Sequence, residues 1–147
     1  DLKVLGGLSL AVDGEPVRIP ETFAYKGMML SGVPNFAVAT GYTNASWTLK
    51  CDLTSTYVCR LLRHMRRRGF DQCTPTLPDS SVQAQPFIDF NSGYVMRAID
   101  QFPRQGHKAP WRLHQNYFLD LLNLRLRPVQ DRAMVFSRAQ APLEQAA

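Results

Sequence analysis

A short polar turn between an apolar segment and a predicted helix is the part of this sequence best suited to chemistry. It lies within "ATGYTNASWT", from Ala39 to Thr48. Gly41 permits a tight exit from the apolar segment, and the backbone N–H groups from Asn44 to Trp47 would stand free at the helix start. Free N–H groups of this kind bind anionic or electron-rich atoms. The same residue types are also ordinary turn and cap residues, so the pattern alone leaves both interpretations open.

Other combinations of reactive side chains are weak. Asp52 and Asp89 show no paired-carboxylate arrangement, and no Ser/His/Asp constellation can be argued from the sequence. The three histidines show no metal-ligand spacing, and no CxxC pair occurs. If Cys51 and Cys59 share a helix, they lie roughly 12 Å apart, too far for a disulfide. We therefore expect no metal site, no disulfide and no acid–base hydrolysis.

The residues after the turn predict a long amphipathic helix. Leu53, Tyr57, Leu61 and Met65 recur every four residues and form one apolar stripe. Arginines crowd the last turn and Gly69 follows them, which matches the preferences of a helix C-terminus. The helix therefore extends from the turn to Gly69.

The segment before the turn predicts a strand. Residues 35–40, "NFAVAT", are short, apolar and bounded by turn residues, as in a strand buried on both faces of a parallel sheet. Further upstream, Asp13 and Gly14 lie between alternating apolar residues and predict a β-hairpin with Pro16 on an edge strand. The fold class is therefore α/β, with a hairpin, one buried strand and one long amphipathic helix.

The second half of the chain predicts helical decoration. Prolines break the segment from Gly69 to about Pro86, which we interpret as a surface loop. "GYVMRAIDQF" predicts a short helix that Pro103 ends, and "WRLHQNYFLDLLNLR" predicts a second amphipathic helix. "AMVFSR" predicts a final strand, and the last residues should fray.

Composition and charge limit the class of protein. The chain has 147 residues, is 45% hydrophobic and carries a formal net charge of +5. It contains no apolar run long enough to span a membrane and no signal-peptide pattern, so we expect a cytoplasmic location. The basic run from Arg60 to Arg68 could bind nucleic acid, but no aromatic residues are interleaved with it. We favour a solvated helix end and expect no nucleic-acid partner.

Three stretches resemble a known family. "FAYKGMMLSGVPNFAVATGYTNASWTLKCDL", "QPFIDFNSGYVMRAIDQFPRQG" and "PWRLHQNYFLDL" resemble the C-terminal third of class B flavin-dependent monooxygenases. The likeness is closest to the Baeyer–Villiger type, in particular the ethionamide-activating monooxygenases, and covers almost the whole chain. It implies a flavoprotein with two Rossmann-like dinucleotide-binding domains, one for FAD and one for NADPH.

The resemblance also implies an activity and a domain assignment. Such enzymes insert one oxygen atom from O2 into ketones, or oxidise sulfur or nitrogen, through a peroxyflavin. Residues 1–147 would be the C-terminal portion of the FAD-binding domain. Within them, 1–22 would be the hairpin, 23–69 the last FAD-domain strand and the flavin-facing helix, and 70–147 a C-terminal extension.

Matched position by position, the resemblance places six residues next to the flavin and Trp47 in the substrate pocket. The six are Gly41, Tyr42, Thr43, Asn44, Ala45 and Ser46. No G-x-G-x-x-G occurs here, since "LGGLSL" has the wrong spacing. The chain therefore looks like the C-terminal piece of a longer enzyme, and we expect it to be inactive alone and prone to self-association through an unpaired strand.

Two alternatives stay open. A flavin-dependent NAD(P)H reductase of the same architecture would share the turn at Gly41, but should not share "PWRLHQNY". A stand-alone basic binding module would instead use the arginines that end the long helix.

Overall fold

The computed structural model describes residues 4–43, 45–77, 81–87 and 99–139. These residues form an α/β arrangement of two α-helices and four two-stranded antiparallel sheets. The sheets pair β1 with β2, β3 with β4, β5 with β8, and β6 with β7. The strands are β1 Ala11–Val12, β2 Glu15–Pro16, β3 Ala24–Tyr25, β4 Met29–Leu30, β5 Gln72–Pro75, β6 Ala84–Pro86, β7 Arg104–Gly106 and β8 Met134–Ser137, and the helices are α1 Trp47–Arg68 and α2 Tyr117–Leu121.

The turn of the predicted N-terminal hairpin is confirmed, but its paired strands are shorter than the predicted range of residues 1–22. Strands β1 and β2 pair antiparallel, with Val12 opposite Glu15. Asp13 and Gly14 form the turn with φ values of 52° and 84°. Two left-handed residues give a turn whose twist matches that of the paired strands, and an Asp-Gly pair is well suited to it.

Helix α1 is also confirmed, from its apolar stripe to its end. Leu53, Tyr57, Leu61 and Met65 are all buried. Gly69 adopts a left-handed φ of 69°, and its N–H donates to the carbonyls of the last helical turn. At the other end, Ser46 occupies the N-cap position, but its side chain makes no cap hydrogen bond.

The prediction of a buried strand at residues 35–40 is wrong for this structure. Residues 36–40 form no strand, and Ala37 and Ala39 are exposed. The Val38 N–H donates to the Met28 carbonyl at 2.8 Å. The Asn35 N–H donates to the Cys73 carbonyl at 2.9 Å, so the two bonds lead to different parts of the chain. A strand needs a single partner that follows it for several residues.

The predicted final strand is confirmed, but the predicted loop after Gly69 is not. Strand β8 pairs with β5, with Cys73 opposite Phe136. Near this sheet the Phe70 and Phe136 rings stack with their centroids 5.3 Å apart. The prolines of this region indicated a loop because the partner of β5 lies about sixty residues away and leaves no local signal.

The predicted helix at residues 111–125 is shorter than expected. It begins at Tyr117 because the Asn116 side chain accepts hydrogen bonds from the N–H groups of Phe118 and Leu119, at 3.0 and 3.2 Å. After α2 the chain makes one π-helical turn over Leu122–Leu126. Of the short helix predicted at 93–102, residues 93–98 lie outside the described residues, as does the tail from 140. Residues 99–101 form a single 3₁₀ turn.

The core lies between α1 and the β3–β4 turn. Trp111 is buried in the loop before α2, and its ring meets the Tyr25 ring edge-on at a centroid distance of 5.6 Å. Met28, Met29 and Tyr57 pack in the same cluster. Among the helices of the described ranges, none is long and apolar enough to cross a membrane.

Candidate functional site

The predicted turn lies at the N-terminus of α1, where its residues have different environments. Tyr42 is buried, Gly41 is half-buried, and Thr43, Ala45 and Ser46 are exposed. Asn44 lies outside the described residues. The structure thus brings five of the six predicted flavin neighbours together in one turn.

Trp47 covers Gly41. The Trp47 side chain is 62% exposed, and its indole ring lies against the α-carbon of Gly41. A Cβ added at position 41 would overlap the indole ring. The absence of a side chain at Gly41 is therefore required for the indole to take this position.

Hydrogen bonds attach the turn to two other parts of the chain. Both the backbone N–H and the hydroxyl of Thr43 donate to the Gln115 side-chain carbonyl, at 3.2 Å each. The Thr40 hydroxyl donates to the Gly27 carbonyl at 3.0 Å. The turn is therefore held between the β3–β4 turn and the segment before α2.

A buried ion pair lies beneath the turn. The Lys50 ammonium contacts the Asp120 carboxylate at 2.7 Å, and both side chains are more than nine-tenths buried. The Tyr42 hydroxyl donates to the same carboxylate oxygen at 2.6 Å. Burial, and next the hydrogen bond to Asp120, raise the pKa of Tyr42 above its ordinary value of 10.0. Tyr42 therefore joins the turn to α1 and α2 as a protonated donor, rather than presenting its hydroxyl to a ligand.

Sequence analysis missed Lys50 and Asp120, although a signal exists. Lys50 precedes Leu53 and Tyr57 by three and seven residues, so it lies on the apolar face of α1. Asp120 lies likewise between Tyr117 and Leu124 on one face of its helix. A lone charge on each of two apolar faces predicts a buried pair, but only packing shows that the faces meet.

Two adjoining clefts open beside the turn. One, of about 330 Å³, is apolar and includes Met28 and Met29 in its wall. The other, of about 490 Å³, is lined by Gly41, Tyr42 and Thr43 among others. The clefts share Val4, Leu5, Thr40, Trp47, Phe87 and Phe102. Volumes of this size suit small organic ligands, and Trp47 contributes to both walls.

The arginines at the end of α1 are exposed to solvent, as predicted for a basic helix C-terminus. Arg66, Arg67 and Arg68 are exposed in the last turn, where cations interact favourably with the helix dipole. Arg60, one turn and a half earlier, donates instead to the carbonyls of Leu124 and Arg127, at 2.7 and 2.6 Å. Arg60 thus caps the π-helical turn. The hypothesis that the arginines at the helix end form a nucleic-acid-binding surface stays a prediction.

Comparison with known proteins supports one class: the chain is similar over nearly its whole length to FAD-containing monooxygenases, which confirms the resemblance found in the sequence. It is 48% identical over 143 residues, 97% of the chain, to the FAD-containing monooxygenase EthA of Mycobacterium tuberculosis. It is 50% identical over 141 residues, 96% of the chain, to EthA of Mycolicibacterium smegmatis. The chain spans 29% of the length of each of these relatives. No protein-family model matches the sequence, and no solved structure matches the chain.

Proposed function

We propose that the chain is the C-terminal part of a cytoplasmic, FAD- and NADPH-dependent monooxygenase of the Baeyer–Villiger type. The observation that carries the proposal is the similarity to FAD-containing monooxygenases over 97% of the chain. The whole protein would contain two Rossmann-like dinucleotide-binding domains, and the chain would complete the one that holds FAD. Its substrate would be a small ketone, or a compound with an oxidisable sulfur or nitrogen, together with O2.

The residues of the turn fit a flavin. The first turn of α1 carries backbone N–H groups that the Ser46 side chain does not cap, and its first residue, Trp47, lines both clefts. N–H groups at the positive end of a helix stabilise a ring edge that gains negative charge on reduction. When bound, FAD would supply the redox chemistry that links NADPH to O2.

The chain's own residues would position the ring and the substrate. Gly41, Thr43, Asn44, Ala45 and Ser46 would offer backbone contacts at the flavin edge. In the described part of the turn, Tyr42 is anchored by the hydrogen bond from its hydroxyl to Asp120. The exposed Trp47 indole would cover the substrate side of the site, because it lines both of the clefts beside the turn.

The experiment that tests the function uses the full gene product with FAD, NADPH and a ketone or thioether under ¹⁸O₂. We expect one ¹⁸O atom in the organic product, detected by mass spectrometry. Oxidation of NADPH without an oxygenated product would instead support the reductase. If the full gene product did not bind flavin, the result would contradict both the monooxygenase and the flavin-dependent reductase.

A pair of variants in the same assay tests the site. Trp47→Ala removes an exposed aromatic from the cleft, and Leu62→Ala removes an exposed apolar side chain further along α1. We expect Trp47→Ala to change the ratio of kcat/KM for a bulky and a small ketone by about tenfold, as pocket-shape changes do. Leu62→Ala should leave that ratio unchanged, and equal effects would remove Trp47 from the proposed pocket.

A further inference from the structure

We propose that the chain carries a second ligand site, a cationic cleft that binds a small organic anion through a carboxylate or phosphate group. The cleft has a volume of about 390 Å³ and lies between the loop around Trp111 and the segment after α2. It shares Lys50, Leu113 and His114 with the larger cleft beside the turn, so Lys50 lies in a wall common to the two clefts. The proposal does not rest on the monooxygenase function.

Charge is unbalanced around this cleft. Its lining includes six cationic side chains and two carboxylates. The cations are Lys26, Lys50, Lys108, Arg112, Arg127 and Arg132, and the carboxylates are Asp120 and Asp131. Clefts lined by one sign of charge concentrate ions of the opposite sign.

Both carboxylates already have partners in the fold. Asp120 is bound by Lys50, as described above. One oxygen of Asp131 accepts from the Tyr25 hydroxyl at 2.6 Å, and the other accepts from the N–H groups of Ala133 and Met134 at 2.8 and 3.0 Å. Asp131 therefore anchors β3 to the start of β8, and its hydrogen-bonding capacity is largely used there.

Lys26 is the half-buried cation that lacks a close counterion. Its ammonium lies 5.6 Å from the Tyr25 ring centroid and 5.4 Å from that of Tyr57. Within the described ranges no carboxylate oxygen comes within 4.0 Å of it. Burial lowers the pKa of Lys26, Asp131 partly opposes this shift, and the charges of Arg127 and Arg60 lower it further. An anion in the cleft would relieve the cost of holding this ammonium away from water.

The lining indicates the kind of anion. Arginine guanidinium groups bind carboxylate and phosphate oxygens through two parallel N–H donors, and Arg112, Arg127 and Arg132 all line the cleft. Trp111, Leu124 and Val82 add apolar wall. A ligand that matches both features has an anionic head and a small apolar body, such as an aromatic ring.

The test is isothermal titration of the full gene product with phenyl phosphate, benzoate and, as an uncharged match, benzyl alcohol. Each titration is run at low salt with saturating FAD and NADP⁺, so that any dinucleotide site is already filled. We expect saturable binding of at least one of the two anions and none of the alcohol. Comparison of the two anions then distinguishes a phosphate site from a carboxylate site.

Charge-neutralising variants locate the binding. Lys26→Gln and Arg127→Gln should each weaken binding of the anion by about tenfold, the effect of losing one charged hydrogen bond. Arg66→Gln removes the same charge at the exposed end of α1 and should change affinity less than twofold (about 0.4 kcal/mol). The exposed Arg127 side chain allows this test even if Lys26→Gln fails to fold. No saturable binding, or equal affinity in Arg127→Gln and Arg66→Gln, would overturn the proposal.

Discussion

At the scale of single residues, Asp120 connects the turn at Gly41 to helix α1. One of its carboxylate oxygens receives both the Lys50 ammonium and the Tyr42 hydroxyl, and all three side chains are buried. Burying charges is costly, and the cost is recovered only while both partners are present. The position of the turn at Gly41 therefore depends on a residue nearly eighty positions away in sequence.

Neutralising Asp120 should destabilise the protein strongly. In Asp120→Asn the buried ammonium of Lys50 loses its counterion, and we expect a loss of about 3–5 kcal/mol in the free energy of unfolding. The measurement is urea unfolding followed by tryptophan fluorescence.

A surface ion pair supplies the matched control. Arg18 and Glu21 are 3.1 Å apart with side chains 78% and 58% exposed. Because solvent screens such pairs, Glu21→Gln should cost at most about 1 kcal/mol. Similar losses in the two variants would show that the buried pair contributes little.

At the scale of elements, a second polar link holds β3 against the C-terminal part of the chain. The Tyr25 hydroxyl donates to Asp131 and lies 3.3 Å from the Tyr57 hydroxyl on α1. Burial, followed by the nearby charges of Tyr57 and Asp131, raises the pKa of Tyr25 well above its ordinary value of 10.0. The folded protein therefore keeps a proton that the unfolded chain releases above pH 10.

This link predicts an alkaline dependence of stability. Tyr25 contributes its full share of stability below about pH 10, and that share is lost as pH rises further, because only the unfolded state then loses the proton. Tyr25→Phe should lower stability at pH 7 by about 1–3 kcal/mol, since Asp131 loses a donor. Above pH 10, the free energy of unfolding of Tyr25→Phe should fall less steeply with pH than that of the unchanged protein. The measurement is urea unfolding from pH 7 to 11. An unchanged decline in the variant would exclude Tyr25 as its source.

At the scale of the whole molecule, several large apolar side chains are exposed in the described part of the chain. Phe118 in α2 is 77% exposed, and Leu126 at the end of the following π-helical turn is 67% exposed. The relatives are more than three times as long as the chain, since it spans 29% of their length. Self-association of the chain stays a prediction, and exposed apolar side chains of this kind would favour it.

The cofactor site should need more than these 147 residues. The sequence contains no G-x-G-x-x-G loop to bind the FAD pyrophosphate, although it supplies the turn at Gly41. We therefore expect the isolated chain to show no saturable quenching of FAD fluorescence and no NADPH oxidation with added FAD. The full gene product is the positive control. NADPH oxidation by the isolated chain would contradict the division of the site proposed here.

Local patterns in the sequence were sufficient to predict helix α1 and the Asp13–Gly14 turn, and to reveal the family resemblance. Each depends on residues close together in the chain: a four-residue apolar period, a two-residue turn, and a run of matched positions. Packing decided the rest, because its determinants lie far apart. Residues 36–40 have strand composition but find no partner strand among the described residues, whereas β5 has loop composition and pairs with β8. The Lys50–Asp120 pair and the cationic cleft likewise arise only where distant segments meet, since burial and charge balance are properties of the folded chain.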